Sequence, residues 1–338
     1  MELIDILISL IPLLSSSFLT FYLTKVWIRI AKSFDLVGRD MNKFKKVLVP
    51  EAGGISLVIS ISLSLLLYVF LKTFIFKTEL HLIEVLSLLI TFLLAGFLGF
   101  VDDILGWKKG LKQWQKPLLT IPISLPLVVI NAGHSTISLP FLGSVDLGIL
   151  YPLLLVPIGI IGAANGFNIL AGFNGLEASM ALLIFFSYFL ISLLTNQLWL
   201  AYVCMIITLS LLSFLIFNWY PAKIFPGNTL TYSIGSLIAC IAILGNFEKF
   251  GVILFFPYFI EFLLKARGKF KKESFGKPLK NGSLTLRYKK IYGLEHFSIW
   301  FIKKFKKNVF EKDVVFFLIM IELLFVSLAF LNYSFQLI

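Results

Sequence analysis

Two adjacent carboxylates end a long apolar run in the first third of the chain, and lysines follow them closely. Asp102 and Asp103 close the sequence GFVDD, and the next segment, KKGLKQWQK, ends at Lys116. Hard carboxylate oxygens suit Mg²⁺, which usually takes one or two carboxylates and completes its shell with substrate phosphates. Taken alone, the aspartates could equally mark a helix end. Together with the lysines they indicate chemistry on a phosphate group.

A second polar cluster closes another apolar run. The stretch NGFNILAGFNGLE, residues 165–177, holds Asn165, Asn168, Asn174 and Glu177. Polar side chains are costly in hydrocarbon unless they face protein or a wet cavity, so such a cluster indicates a functional site. The alternative interpretation is a helix end capped by Asn and Gly.

Two shorter motifs complete the set of candidate site segments. In FPGNTLTYSIGS, residues 225–236, Gly227 permits close backbone approach and Asn228 is placed to cap a helix N-terminus, which is itself an anion site. The motif VPEAGG, residues 49–54, carries Glu51. Four such motifs from distant parts of the chain would form one site if their helix ends met on one face.

The elements that must position these motifs are predicted to be membrane-spanning helices. Hydrophobic residues make up 59% of the chain and charged residues only 14%, and apolar runs of roughly 20 residues recur, the length that spans the hydrocarbon core. We therefore predict an all-α, polytopic integral membrane protein with one domain, residues 1–338. The ten predicted spans are 3–24, 53–71, 82–101, 117–133, 149–169, 179–195, 198–218, 230–246, 249–264 and 313–333.

Several details of these elements follow from local sequence. Prolines inside the spans should kink their helices. They lie at positions 117, 122, 126, 152, 157 and 257. The first span has acidic flanks and no small-residue cleavage pattern, so we expect it to be retained. The basic loop 265–312 should contain a short hairpin around Asn281-Gly282.

The distribution of lysine and arginine predicts the orientation. Loops 25–52, 102–116 and 265–312 are rich in both residues, and they lie on the same side of the predicted membrane. The positive-inside rule makes this side cytoplasmic and places both termini outside the cell. The net charge of +12 is then concentrated on one side of the membrane. Attraction either to anionic lipid or to an anionic substrate would explain it. No nucleic-acid-binding module is recognisable, so we expect no nucleic-acid partner.

The series VPEAGG, GFVDD, KGLKQWQK, NGFNILAGFNGLE and FPGN, in this order across the ten spans, resembles the polyprenyl-phosphate N-acetylhexosamine-1-phosphate transferases of glycosyltransferase family 4. The nearest branch is the eukaryotic and archaeal dolichyl-phosphate GlcNAc-1-phosphotransferases, because the bacterial phospho-MurNAc-pentapeptide branch has aspartates at the positions of Ala171 and Asn174. The resemblance implies transfer of a sugar 1-phosphate, most closely GlcNAc-1-phosphate, from a UDP-sugar to polyprenyl phosphate, with release of UMP. It also implies a cytoplasmic-face active site, Mg²⁺ as cofactor with Mn²⁺ as an alternative, and a homodimer.

The same resemblance assigns catalytic and metal roles. Asp102 and Asp103 match the aspartate pair of the family, implicated either in ordering the metal site or in deprotonating the lipid phosphate. Lys116 resembles the lysine that neutralises phosphate charge as the lipid oxygen attacks the β-phosphorus. Asn168 matches a metal-ligand asparagine. Such an enzyme works mainly by positioning and charge neutralisation.

Four further residues resemble the uridine contacts of the family. They are Glu51, Gly172, Asn174 and Phe225. The aromatic ring of Phe225 would offer a stacking face for uracil, although an aromatic side chain at a membrane interface is also expected for purely structural reasons.

This chain departs from the family pattern at two places. Asn228 stands where the family usually has an aspartate that binds Mg²⁺, which predicts either a weaker metal site or an inactive protein. The basic loop lacks a recognisable histidine- or arginine-paired motif, and its pyrophosphate contacts could come instead from a set of basic residues. These are Lys271, Lys272, Lys277 and Arg287. His296 is expected to have a core or interfacial role.

Two other functions remain open from the sequence. A transporter or flippase for lipid-linked sugar would also place polar residues between broken helices, but its sites lie near the membrane midplane and its halves are related by a repeat. No internal repeat is visible here. A non-catalytic family member, inactive because of Asn228, is the second alternative.

Overall fold

Helices make up most of the chain in the computed structural model, which describes residues 3–110, 114–139 and 143–334. Lys112 of the lysine-rich motif lies outside the described residues. In chain order the helices are α1 (Leu3–Ser33), α2 (Gly54–Phe70), α3 (Leu82–Lys109), α4 (Gln115–Leu119), α5 (Ile121–Val129), α6 (Val156–Ile169), α7 (Leu176–Leu194), α8 (Leu198–Asn218), α9 (Gly227–Leu244), α10 (Glu248–Leu254), α11 (Phe256–Arg267), α12 (Leu294–Ile302) and α13 (Glu311–Ser334).

Two short π-helical segments extend the helices at the membrane: Leu71–Ile75 continues α2, and Tyr151–Leu155 leads into α6. With these segments included, eight of the described helices are long and apolar enough to cross a membrane, and the chain is a multi-pass membrane protein. The other two predicted spans are each broken into two shorter helices. Span 117–133 is divided between α4 and α5 at Thr120, and span 249–264 is divided between α10 and α11 at Phe255. Proline explains both breaks, because Pro122 and Pro257 stand in the first turn of the second helix, where the missing N–H costs nothing.

Three small antiparallel hairpins join the helices. They are β1 (Val37–Arg39) with β2 (Leu48–Pro50), β3 (Thr136–Leu139) with β4 (Gly143–Asp146), and β5 (Lys277–Pro278) with β6 (Leu284–Thr285). The third hairpin confirms the one predicted around Asn281-Gly282, and Gly282 adopts the positive φ of 81° that its turn requires. The first two were not predicted, because strands of three or four residues carry little periodic signal.

Helix α9 lies at the centre of the bundle, packed along α3 and α6. Its first turn is approached very closely by two glycines, Gly54 at the start of α2 and Gly99 in α3. A Cβ atom at Gly99 would lie 2.6 Å from the carbonyl carbon of Asn228, and one at Gly54 would lie 2.7 Å from the Cα of Leu230. Small residues of this kind let membrane helices approach backbone to backbone.

Helix α1 lies at the edge of the bundle and contacts α2 through paired hydroxyl groups. The pairs are Ser15 with Ser64 (3.0 Å), Thr20 with Ser60 (2.5 Å) and Thr24 with Ser56 (2.8 Å). They succeed one another along both helices in opposite directions, so they fix the antiparallel register of α1 against α2. Interhelical hydrogen bonds of this type stabilise membrane bundles modestly, by about 0.6 kcal/mol each.

The close approach at Gly99 predicts that Gly99→Ala destabilises the protein. The added methyl group must displace backbone of α9, and overpacking of this kind costs about 1–3 kcal/mol. The matched control is Gly162→Ala in α6, where an added Cβ meets nothing within 4 Å and the helix should gain slightly from alanine. Thermal unfolding in detergent should show a lowered midpoint for Gly99→Ala alone. Equal midpoints for the two variants would contradict the close packing of α3 on α9.

Candidate active site

The carboxylate of Asp103 binds the first turn of α9. It accepts hydrogen bonds from the backbone N–H of Asn228 (2.7 Å) and of Thr229 (2.9 Å), and from the hydroxyl of Thr229 (2.6 Å). Free N–H groups at a helix N-terminus favour an acidic partner. The prediction that Asn228 caps this helix was wrong in that respect: Asn228 lies within the first turn, and Asp103 of a neighbouring helix supplies the acceptor.

Asp102, the neighbour of Asp103, points to a different partner. Its carboxylate forms an ion pair with Lys116, with 2.8 Å between Oδ2 and Nζ. The same ammonium group lies 5.8 Å from the ring centre of Tyr232 in α9. The break between α4 and α5 helps to place Lys116, because the Thr120 hydroxyl at the break accepts a hydrogen bond from the Asn165 amide (3.0 Å) and so fixes α4 against α6.

The two predicted metal ligands are direct neighbours. The side-chain amide of Asn168, near the end of α6, donates to the side-chain oxygen of Asn228 and to the hydroxyl of Thr231, both at 2.6 Å. With Asp102 and Asp103 beside the first turn of α9, the structure brings together the predicted aspartate pair, Lys116 and both asparagines. They gather at one end of the bundle, which we call the site end.

The donor set at the site end fits a hard divalent cation that relies on its substrate for much of its ligation. Carbonyl oxygens of Asn168 and Asn228 and a carboxylate oxygen of Asp102 are of the type that Mg²⁺ prefers. Within the described parts of the chain, no group of three or more His, Cys, Asp and Glu side chains could hold a metal ion. Substrate phosphates would therefore have to supply the remaining negative ligands.

Backbone hydrogen bonds between the VPEAGG and FPGN segments place Glu51 beside Phe225. The N–H of Phe225 donates to the carbonyl of Pro50 (2.8 Å), and the N–H of Gly53 donates to the carbonyl of Phe225 (2.9 Å). The motifs VPEAGG and FPGN are thus hydrogen-bonded side by side, although they are far apart in sequence. Burial and the nearby Asp103 carboxylate raise the pKa of Glu51 above its usual value. The ring of Phe225 is half-buried.

Gly172 and Asn174 lie in the loop between α6 and α7, and both form hydrogen bonds with other residues of the protein. Gly172 adopts φ +108°, and its N–H donates to Glu177 (2.9 Å). The side chain of Asn174 is buried; its oxygen accepts from the N–H of Ala222 (2.7 Å), and its amide donates to Asp40 (3.1 Å). These contacts fix the shape of the loop, and the uridine role of both residues stays a prediction.

The basic segment 265–312 contributes the predicted residues Lys277 and Arg287. Lys277 is exposed in β5, one residue after the buried Gly276, and Arg287 forms an ion pair with Glu273. Their pyrophosphate role also stays a prediction. His296 is buried, 1% exposed, and burial lowers the pKa of its imidazole to about 4. This placement agrees with the predicted core role.

Sequence reasoning missed a set of charged and polar residues that bind the loop around Asn174. They are Asp40, Asn42, Lys43 and Glu311. Burial lowers the pKa of Lys43, but the Glu311 and Asp40 carboxylates outweigh burial and raise that pKa above its usual value. Lys43 was not singled out, because one lysine in a basic loop resembles its neighbours.

The geometry at the site end suits charge neutralisation more than covalent catalysis. It combines a lysine held by a carboxylate, amide oxygens that can ligate a cation, and a nearby loop region with a glutamate and an aromatic ring. Such groups can hold the pyrophosphate and the base of a nucleoside diphosphate.

Comparisons with known proteins identify the family. The family model described as "Glycosyl transferase family 4" matches residues 85–246. A Saccharolobus solfataricus protein, provisionally named as a UDP-N-acetylglucosamine–dolichyl-phosphate N-acetylglucosaminephosphotransferase, is 41% identical over 288 residues, covering 82% of this chain and 84% of the relative. A Sulfolobus acidocaldarius protein with the same provisional name is 37% identical over 329 residues, covering 96% and 97%.

A more distant relative extends the match to another branch. The phospho-N-acetylmuramoyl-pentapeptide-transferase of Halalkalibacterium halodurans is 32% identical over 241 residues, covering 67% of this chain and 72% of the relative. The arrangement of aspartates, lysine and asparagines at the site end and these matches along most of the chain lead to one conclusion: the chain belongs to glycosyl transferase family 4.

Proposed function

We propose that this protein transfers GlcNAc-1-phosphate from UDP-GlcNAc to dolichyl phosphate or another polyprenyl phosphate, releasing UMP and forming a lipid-diphosphate sugar. Such a product opens the assembly of an N-glycan or another cell-surface glycan. The names of the archaeal relatives support the substrates. The observation that carries the proposal is the ion pair of Lys116 with Asp102 beside the asparagine pair, at the ends of membrane helices where a lipid phosphate can meet a soluble nucleotide.

The reaction is a displacement at phosphorus. An oxygen of the lipid phosphate forms a bond to the β-phosphorus of the UDP-sugar, and the bond from that phosphorus to the bridging oxygen breaks, so that UMP leaves with that oxygen. Phosphoryl transfer of this kind needs alignment and charge neutralisation more than covalent catalysis. Lys116 supplies a positive charge, and Asp102 holds its ammonium group in place.

The remaining residues divide between binding and support. Glu51 and Phe225 would bind the uridine from the paired VPEAGG and FPGN segments, with Gly172 and Asn174 on the adjoining loop. Mg²⁺, or Mn²⁺ in its place, would bind to Asn168 and Asn228 and neutralise pyrophosphate charge when present. Asp103 accepts three hydrogen bonds from the first turn of α9, which supports a role in holding Asn228 in place.

Orientation is part of the same proposal. The site end carries the basic loops 25–52 and 265–312, so the positive-inside rule supports a cytoplasmic active site and external termini. A UDP-sugar would then be used on the side of the membrane where it is made. The homodimer implied by the family stays a prediction.

The test is release of UMP from UDP-GlcNAc by the purified protein in the presence of polyprenyl phosphate and Mg²⁺. We expect UMP and a lipid-linked sugar in equal amounts, with neither formed when the lipid acceptor is omitted. Movement of lipid-linked sugar from one leaflet of a vesicle membrane to the other, without UMP release, would indicate a transporter. A folded protein that binds UDP-GlcNAc without turnover would indicate the non-catalytic alternative.

Lys116→Ala should lower kcat strongly, because it removes a preorganised positive charge from the transition state. The loss of one such group costs about 2–4 kcal/mol, which corresponds to a reduction of roughly 30- to 1,000-fold. The control is Lys307→Ala, which removes the same charge from an exposed position in the basic segment. Initial rates at saturating substrates provide the measurement. Equal effects of the two substitutions would show that Lys116 has no special role in the active site.

Asn228→Asp should lower the Mg²⁺ concentration that gives half the maximal rate. The new carboxylate can still accept the hydrogen bond from Asn168, and it adds a negative ligand to a site short of them. The gain should be largest at limiting Mg²⁺ and shrink at saturation. Asn196→Asp makes the same change in an exposed loop at the opposite end of the bundle, and it should leave the Mg²⁺ dependence unchanged. If Asn228→Asp and Asn228→Ala both matched the wild type, Asn228 would not bind the metal.

A further inference from the structure

The side chain of Asn42 joins two loops that lie far apart in the sequence. Its amide group donates to the carbonyl of Gly172 (2.9 Å), and its oxygen accepts from the N–H of Gly276 (3.1 Å). Asn42 itself lies in the loop between β1 and β2, and it is 2% exposed. One buried side chain therefore connects the first large loop at the site end, the loop after α6 and the basic segment 265–312.

Asp40 holds Asn42 in position and extends the contact to Asn174. One carboxylate oxygen of Asp40 accepts from the backbone N–H of Asn42 (3.1 Å), and the other accepts from the side-chain amide of Asn174 (3.1 Å). The pair Asp40 and Asn42 thus binds both ends of the loop segment 172–174. Lys43 strengthens the arrangement, because it forms ion pairs with Asp40 (3.0 Å) and with Glu311.

The contact between Gly172 and the basic segment leaves little room for movement. A Cβ atom at Gly172 would lie 2.7 Å from the ring of Phe275, the residue that precedes Gly276. The hydrogen bond from Gly276 to Asn42 therefore sets how far this segment stands from the loop after α6. Lys277 follows directly, so its position depends on the same bond.

We propose that Asn42 is a positioning residue for the nucleotide: it holds segment 172–174 and segment 275–277 at a fixed spacing, so that both present their groups to one UDP-sugar. The inference rests on the proposed function, in which Gly172 and Asn174 serve the UDP-sugar, and on the pyrophosphate contact predicted for Lys277. Asn42 acts through these loops, because its side chain is buried and its amide bonds to both of them.

A positioning role of this kind makes a specific kinetic prediction. The uridine keeps its bonds and its charge throughout the reaction, so contacts from segment 172–174 to it should be equally strong in the ground state and in the transition state. Loss of uniform binding raises KM and leaves kcat unchanged. Asn42→Ala should therefore raise KM for UDP-GlcNAc about tenfold, keep kcat within about twofold, and leave KM for polyprenyl phosphate unaltered.

Two further variants separate positioning from general stability. Asn42→Asp keeps the size of the side chain and the acceptor for Gly276 but removes the donor to Gly172, so it should also weaken nucleotide binding. Gln197→Ala is the matched control, because the Gln197 amide also donates to a glycine carbonyl, that of Gly245, at 2.9 Å, but at the opposite end of the bundle. It should leave both KM values unchanged.

Binding should be measured as well as turnover, by the shift in thermal midpoint of the detergent-solubilised protein on titration with UDP-GlcNAc, without lipid acceptor. We expect about a tenfold higher apparent Kd for Asn42→Ala than for the wild type. Wild-type affinity in both Asn42 variants, or in Asn42→Asp alone, would overturn the role of Asn42, as would a loss confined to kcat. A wild type that binds no UDP-GlcNAc would instead overturn the proposed function, so the two failures are distinguishable.

Discussion

The hydrogen bonds from the first turn of α9 to Asp103 are the constraint on which the candidate site depends. Because α3 supplies the carboxylate and α9 supplies the N–H groups, the C-terminal part of α3 is fixed beside the N-terminus of α9. Gly99 makes this possible by letting the backbones meet one turn earlier. Asn228 is thereby held beside Asn168, and Asp102 is left to face Lys116.

Much of the fold and many of the site residues could be predicted from the sequence. Apolar runs of membrane-spanning length predicted the helices, and short motifs predicted Asp102, Lys116 and Asn168. The sequence did not reveal that Asp103 caps a helix on another part of the chain, because that contact depends on the packing of α3 against α9. Asn42 and Glu311 were missed for the same reason. Each makes its contacts with residues more than a hundred positions away.

Two neutral asparagines, Asn168 and Asn228, stand side by side at the predicted metal position. The amide of Asn168 can donate to Asn228, so two neutral groups form a stable pair at 2.6 Å. Two carboxylates at that distance would repel each other unless a cation or a proton lay between them. The Asn168–Asn228 pair is held by its own hydrogen bond and needs no cation between its members. The same neutrality leaves more of the cation's charge to be met by the substrate.

The hydroxyl pairs between α1 and α2 bear on how the bundle is assembled. The Ser15 hydroxyl also donates to the carbonyl of Pro12 (2.9 Å), Thr20 to that of Ser16 (2.7 Å) and Ser56 to that of Gly53 (2.7 Å). When the two helices part, these protons keep an acceptor within their own helix. These three hydroxyls therefore stay hydrogen-bonded when the contact between α1 and α2 opens inside lipid. The first helix can therefore enter the bilayer before the second with the hydroxyls of Ser15 and Thr20 already hydrogen-bonded within it.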